Sequence, residues 1–106
     1  MKRGDIYWAN LDPTVGAEIK KKRPCVIVSA NTINKFRKTV VVIPLSTSAK
    51  SYPPITVTVN CDQKKVTAVC DQIRAVDKTR LLKLFSKLSQ HDLKQIDDNL
   101  HQVLNL

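Results

Sequence analysis

Glycine is nearly absent from this chain, with Gly4 and Gly16 the only two, so there is no material for a glycine-rich loop to cradle a nucleotide's phosphates, and no Walker motif is present. No HExxH or GxSxG occurs either, which removes zinc-peptidase and serine-hydrolase chemistry. The three cysteines (Cys25, Cys61, Cys70) are odd in number, lack CxxC spacing and lie in or beside apolar runs. A disulfide scaffold and a zinc site are both poor readings. Histidine is confined to His91 and His101 in the C-terminal segment, where solvated or helix-capping imidazoles are a better reading than a catalytic pair. No unbroken apolar run exceeds four residues, the length of Val40 to Ile43, and Met1-Lys2-Arg3 leads into Gly4-Asp5 rather than a hydrophobic signal core. These absences predict a reduced, cytoplasmic protein with no membrane segment, metal or cofactor.

Acidic residues are the other shortage. Nine Asp+Glu face eighteen Lys+Arg, for a net charge of +9, which makes a polyanion or an acidic protein the first partner to test. The excess is localised. From Lys20 to Lys50 stand Lys20, Lys21, Lys22, Arg23, Lys35, Arg37, Lys38 and Lys50, with no acid among them. From Ser89 onward Asp92, Asp97 and Asp98 outnumber Lys94, so nucleic acid would meet the first half. At 106 residues the chain predicts one domain spanning 1–106.

The local patterns favour strands. Asp5 to Leu11 is β-branched and aromatic and stops at Asp12-Pro13. Pro24 opens Cys25 to Ser29, and Thr39 to Ile43 is closed by Pro44; both are continuous apolar runs, the pattern of strands buried on both faces. Asn31 to Lys38 reads as a polar surface connection. Ile55 to Val59 alternates at period two, as a strand with one wet face does, and Asn60 to Lys65 makes a turn. Thr67 to Ile73 is a further strand with Asp71 inside it, where strands disfavour aspartate. Asp77 to Arg80 suits one helical turn, and Leu82 to Leu88 fits strand or helix. Ser89-Gln90-His91-Asp92 is an S-x-x-D cap, followed by Leu93, Ile96, Leu100, Val103 and Leu104 at helical spacing. The predicted fold is mainly β with α: a small barrel with short helical turns and a C-terminal amphipathic helix.

Three places could carry chemistry. Lys20-Lys21-Lys22 reads as a solvated basic loop, but Arg23 precedes Pro24, which holds its backbone extended, and a planar guanidinium on a fixed stem can fork onto phosphate oxygens. Ser46-Thr47 follow a buried strand, where their hydroxyls could serve a site or bond nearby backbone as a turn does. Asp71, Gln72 and Arg74 could present a carboxylate, an amide and a guanidinium, or form an ion pair bracing a barrel.

Arg3-Gly4-Asp5-Ile6-Tyr7-Trp8, Leu11-Asp12-Pro13-Thr14-Val15-Gly16-Ala17-Glu18 and Lys22-Arg23-Pro24-Cys25-Val26-Ile27-Val28-Ser29 together resemble the MazF/PemK family of toxin endoribonucleases. The match continues in family order through Val42 to Thr47, Tyr52-Pro53 and Asp71 to Asp77. The resemblance implies a homodimer of SH3-like barrels that cuts single-stranded RNA, mainly messenger, at short sequences without a metal and is silenced by a cognate antitoxin. It places the catalytic arginine on Arg23 and the catalytic hydroxyl on Ser46, where the family often has threonine, with Thr47 beside it. In some members an arginine two places before the strand aspartate takes part; that place is Val69, so only Asp71 of that pair is present.

On this reading the ribose 2′-hydroxyl attacks its own 3′-phosphate while Arg23, Ser46 and Thr47 hold the developing charge. Unstacked bases are read by edges and stacking, and the expected RNA-binding residues are Lys20, Lys21, Lys22, Asn31, Tyr52, Asp71, Gln72 and Arg74. An acidic, largely disordered antitoxin tail is the natural antagonist of such a face. Two rivals use no catalysis. A binding toxin similar to the CcdB type needs a tryptophan at its C-terminal end, whereas the only one here is Trp8. A plain SH3-like nucleic-acid-binding module needs the basic face but has no use for Arg23-Pro24 together with Ser46-Thr47.

Overall fold

Seven strands make one antiparallel sheet, and a helix at the C-terminus covers part of it. The computed structural model describes residues 1–106. In chain order the elements are β1 (Asp5–Asn10), β2 (Lys22–Ile27), α1 (Asn31–Phe36), β3 (Thr39–Ser46), β4 (Thr56–Cys61), β5 (Lys64–Val69), β6 (Arg74–Asp77), β7 (Leu81–Lys87) and α2 (Gln90–Val103), with 3-10 turns at Cys70–Gln72 and Lys78–Arg80. The strands lie in the order β4-β5-β3-β2-β1-β7, and β6 also pairs with β3. The sheet curls into a half-barrel, as the SH3-like expectation requires.

The continuous apolar runs have their explanation in this curl. Val26, Ile43 and Leu45 point to one core with Val59, Val66, Leu93 and Ile96, while Cys25, Ile27, Val40 and Val42 point to another with Ala9, Leu11, Val76 and Leu81. Side chains alternate across a strand, so a strand with a core on each side has no polar face to show. Register shifts between β1 and β7 at Ile6/Tyr7 and Trp8/Ala9 interrupt the ladder along that edge, as bulges do.

Several boundaries differ from the sequence expectation. β2 starts at Lys22, not after Pro24, because the β1 ladder reaches back to pair Asn10 with Lys22 and Ala9 with Arg23. β3 runs through Pro44 to Ser46; one edge passes from β6, paired up to Val42, to β5, paired from Leu45, and the residue without an N–H falls at the changeover. Asn31 to Phe36 is a short helix rather than a plain connection, fastened by buried Asn34, whose Nδ2 donates to the Ser29 carbonyl at 2.9 Å. The Asn60 to Lys65 turn narrows to Asp62-Gln63, both at positive φ as a two-residue hairpin demands. Asp71 leaves the strand: β5 ends at Val69 and the carboxylate rides the Cys70–Gln72 turn, which relieves the conflict with strand propensity. Lys78–Arg80 forms the expected turn, capped by Asp77 through the Thr79 N–H, and that bond holds the Asp77 carboxyl below its usual range. Leu81–Lys87 resolves as strand.

α2 begins as its cap predicts, with Ser89 Oγ accepting from the Asp92 N–H at 3.1 Å. Asp92 then reaches away from the helix to accept the Asn60 N–H of β4 at 2.9 Å, tying helix to sheet. Leu93 and Ile96 enter the core and Leu100 and Val103 pack on its margin. Leu104 does not join them: the helix ends at Val103 and Leu104 is 47% exposed. Gly4 lies under this helix at φ +93°, where an added Cβ would stand 3.3 Å from Leu93 Cδ2; here glycine is a requirement of conformation and space.

Candidate active site

β2 and β3 are neighbours whose register runs Ile27 to Val42, Val26 to Ile43 and Cys25 to Pro44. Arg23 and Ser46 each lie two residues beyond the last of these pairs, at the same end of the ladder. Both line one open cavity of about 400 Å³, together with Glu18, Lys20, Lys21, Ser48 and Gln72. Residues distant in sequence are thus gathered by one strand pairing and by the β1–β2 loop folding over it.

Arg23 is half-buried at the start of β2. Its Nε–H donates to the Lys20 carbonyl at 3.2 Å, which fixes the stem of the guanidinium and leaves the terminal Nη groups for a ligand. Ser46 is buried at the end of β3, and its Oγ accepts the backbone N–H groups of Ser48 at 3.2 Å and Ala49 at 3.1 Å. The hydroxyl therefore caps the turn after β3, as one sequence reading has it. With its lone pairs so occupied, its proton is what remains to offer, either to Ser48 Oγ at 3.3 Å or to an incoming oxygen. Such a hydroxyl donates rather than abstracts a proton. Thr47 is exposed next to Ser46 and outside the cavity lining.

The remaining expected residues divide. Lys20 and Lys21 line the cavity, whereas Lys22 is exposed beyond it. Asp71 and Arg74 line an adjoining cavity of about 220 Å³ that shares Glu18, Ile19 and Gln72 with the first. They form no salt bridge; Arg74 Nη1 reaches the Leu11 carbonyl at 3.5 Å. Gln72 stands at the junction of the two cavities. Tyr52 is 67% exposed in the β3–β4 connection. Asn31 lies elsewhere: on α1 its Oδ1 accepts the Arg3 N–H at 2.7 Å, and it borders a different hollow with Met1, Lys2, Asn34 and Lys35.

Glu18 was not singled out as a site residue by sequence reasoning. It is the one carboxylate lining the Arg23 and Ser46 cavity, and the Val15 N–H donates to its Oε1 at 2.7 Å. The signal was its position as the last acid before the acid-free stretch from Lys20 to Lys50. The two ion pairs of the structure, Arg3 with Asp97 and Lys94 with Asp98, take no cation from that stretch, so its charge is available to a ligand. Beneath the site Cys25 is a bystander: burial pushes its thiol up to about 12, against the opposing pull of the Arg74 guanidinium, and a neutral buried thiol is no nucleophile. No three His, Cys, Asp or Glu side chains come together as metal ligands would.

Residues 2–104 match the model of the PemK-like, MazF-like toxins of type II toxin-antitoxin systems. The chain is also 33% identical over 115 residues to the endoribonuclease MazF9 of Mycobacterium tuberculosis, a match covering all of this chain and 98% of that protein. The chain belongs to this toxin family. The toxin's fold has close solved counterparts. MazF of Deinococcus radiodurans superposes with a TM-score of 0.89 at 22% identity, covering 100% of the toxin and 97% of that chain. An endoribonuclease from mycobacterial species, solved with its cognate antitoxin, superposes at 0.84 and 22%, covering 100% and 96%. Family membership sets aside the bare SH3-like module and the CcdB-like binding toxin as descriptions of this chain.

Proposed function

We propose that this endoribonuclease toxin cleaves single-stranded RNA in the cavity between the β1–β2 loop and the end of β3, with residues 1–106 acting as one toxin domain. The observation that carries the reading is that β2–β3 pairing brings the Arg23 guanidinium and the Ser46 hydroxyl to the same cavity. In the step envisaged, a ribose 2′-oxygen attacks the adjacent phosphorus while the bond from phosphorus to the 5′-oxygen breaks. The products are a 2′,3′-cyclic phosphate, or the 3′-phosphate after hydrolysis, and a free 5′-hydroxyl. The Nη groups of Arg23 lie across the non-bridging oxygens, where negative charge accumulates, and the Ser46 hydroxyl adds a donor, while Thr47 stands outside the lining. Glu18 takes the 2′-hydroxyl proton, being the one carboxylate in the lining, and a proton from solvent completes the 5′-hydroxyl.

Lys20, Lys21 and Lys22 attract and position the RNA backbone rather than specify sequence, while the adjoining cavity with Asp71, Gln72 and Arg74 lies where a neighbouring base would be placed. RNA as substrate supports a cytoplasmic site of action. As in other type II systems the toxin's partner is a cognate antitoxin, and the uncompensated cations around the site favour an acidic antitoxin segment laid across it. The edge strand β7 exposes Leu82, Leu84 and Phe85, with Phe85 against Trp8 at 5.4 Å between ring centroids, which supports pairing with a second copy of the chain.

The test is incubation of the purified toxin with a long single-stranded RNA in EDTA, with cut sites and end groups mapped. Cuts at a recurring short word, bearing cyclic or 3′-phosphate ends and lost in Arg23→Ala, are expected. Intact RNA that is nonetheless bound would overturn the proposal.

A further inference from the structure

The β1–β2 loop carries Glu18, Lys20 and Lys21 to the cavity, yet from Pro13 to Lys21 it forms no strand pair. Its foot is closed by the Leu11 N–H donating to the Lys21 carbonyl at 3.0 Å and the Lys21 N–H donating to Asp12 Oδ1 at 3.0 Å, with Lys21 at φ +68°. Higher up, the bond from the Val15 N–H to Glu18 ties the loop only to itself. Ile19 packs on the second core and the Lys20 carbonyl accepts from Arg23 Nε; the other tie to the body of the molecule is one side chain of the turn after β5. Gln72, half-buried in the turn after β5, accepts the Ile19 N–H on Oε1 at 2.7 Å and donates from Nε2 to the Ala17 carbonyl at 3.4 Å.

Both ends of one amide are thus committed to loop backbone, as a strand partner would be, across more than fifty residues of sequence. The next residue of the loop supplies the carbonyl on which Arg23 Nε rests. A continuous path runs from Gln72 Oε1 to the Ile19 amide, through the peptide to the Lys20 carbonyl and on to the Arg23 guanidinium. We propose that Gln72 is a positioning residue for the cleavage reaction: it clamps the loop so that the Lys20 carbonyl holds Arg23 in its reactive orientation. The inference rests on the reading of Arg23 as the group that meets the phosphate. It also changes what Gln72 does, since one acceptor site and one N–H of its amide are committed to the loop.

Gln72→Met keeps the length and bulk of the side chain and removes both hydrogen bonds, and two independent readouts apply to it. Amide hydrogen exchange by NMR reports the clamp directly: the Ile19 amide is expected to exchange at least about tenfold faster, while the Leu11 and Lys21 amides, bonded at the foot, keep their rates. In cleavage of an RNA oligonucleotide, kcat is expected to fall about 10- to 100-fold, the scale set by a displacement of about 1 Å in a catalytic group. KM stays within about threefold and the cut word is unchanged. Gln72→Glu retains the acceptor for Ile19; it is expected to restore Ile19 protection and most of kcat while raising KM through its added negative charge.

An unchanged Ile19 exchange rate in Gln72→Met overturns the clamp, as does a loosened loop with native kcat, or a new cut word, which would make Gln72 a base reader. Should Gln72→Met fail to fold, Gln72→Glu decides alone, since failure to protect Ile19 or recover kcat contradicts the proposal. Full activity in Arg23→Ala would sink the catalytic reading while leaving the Ile19 result intact, so the two failures are separable.

Discussion

Arg23→Ala removes a guanidinium whose Nε is already engaged with the Lys20 carbonyl and whose terminal nitrogens the proposed mechanism assigns to the phosphate. Two charge-assisted hydrogen bonds lost from the transition state, at about 1.5–3 kcal/mol each, amount to about 3–6 kcal/mol. At about 1.36 kcal/mol per factor of ten, kcat should fall by about 10² to 10⁴. Arg23→Lys keeps the charge but not the fork, and forfeiting one of the two bonds places it about 10- to 100-fold below the parent. Folding should barely notice. One half-exposed hydrogen bond is worth about 1 kcal/mol or less, and the strand backbone that pairs Arg23 with Ala9 needs no side chain. The assay is single-turnover cleavage of a labelled RNA oligonucleotide at saturating toxin, with a thermal melt of each variant beside it. If Arg23→Ala cleaves within about fivefold of the parent once saturated, its losses lying wholly in affinity, then Arg23 only binds RNA. If Arg23→Lys is as poor as Arg23→Ala, charge without the fork contributes nothing and the two-bond accounting is wrong.

Ser46→Ala strips the acceptor from two backbone N–H groups; at about 0.5–1.5 kcal/mol per bond the toxin should lose about 1–3 kcal/mol of stability, or roughly 5–20 °C in Tm, along with most of its activity, whereas Ser46→Thr, which keeps the hydroxyl, should stay within about tenfold in rate. Thermal melts and cleavage rates check this pair. Replacing Lys20, Lys21 and Lys22 together by alanine should lower the salt dependence of RNA affinity, since single strands contribute about 0.7 to the logarithmic slope per phosphate contact; binding titrations at several salt concentrations should show a slope shallower by up to about 2. The buried thiols set an alkaline limit: burial pushes Cys25 and Cys70 each up to about 12 from 9.0. Unfolded thiols ionise near 9, so above that pH the unfolded state holds fewer protons and stability falls by about 1.4 kcal/mol per pH unit for each thiol, levelling off near 12; below pH 9 both states are protonated and the contribution is constant. Urea melts from pH 8 to 11 should show this decline, with a shallower slope in Cys25→Ala.

Local sequence was a good guide wherever one short-range rule governed the outcome. The apolar runs Cys25 to Ser29 and Thr39 to Ile43 announced strands buried on both faces, and the two cores now account for them. Ser89 announced the start of α2, because an N-cap bond spans only three residues. The same rules failed where a distant partner overrode them. Pro44 signals the end of a strand to any local rule, yet β3 continues because its neighbour changes there from β6 to β5. The Asn31 to Phe36 helix has no apolar stripe to betray it, being held by buried Asn34.

For the site the division is sharper. Composition and charge order alone determined a basic first half, and the ordered motifs with Arg23, Ser46 and Asp71 determined the family. A linear pattern cannot say that Arg23 and Ser46 line one cavity, that Glu18 joins them, or that Asn31 borders a different hollow, because those facts depend on register between strands and on where a loop folds back. Nor could it say what Gln72 does, since the Ile19 amide it holds lies 53 residues away in sequence. Residue identity supplies the chemical groups, and only the closure of long loops by strand pairing and side-chain clamps decides which of them meet.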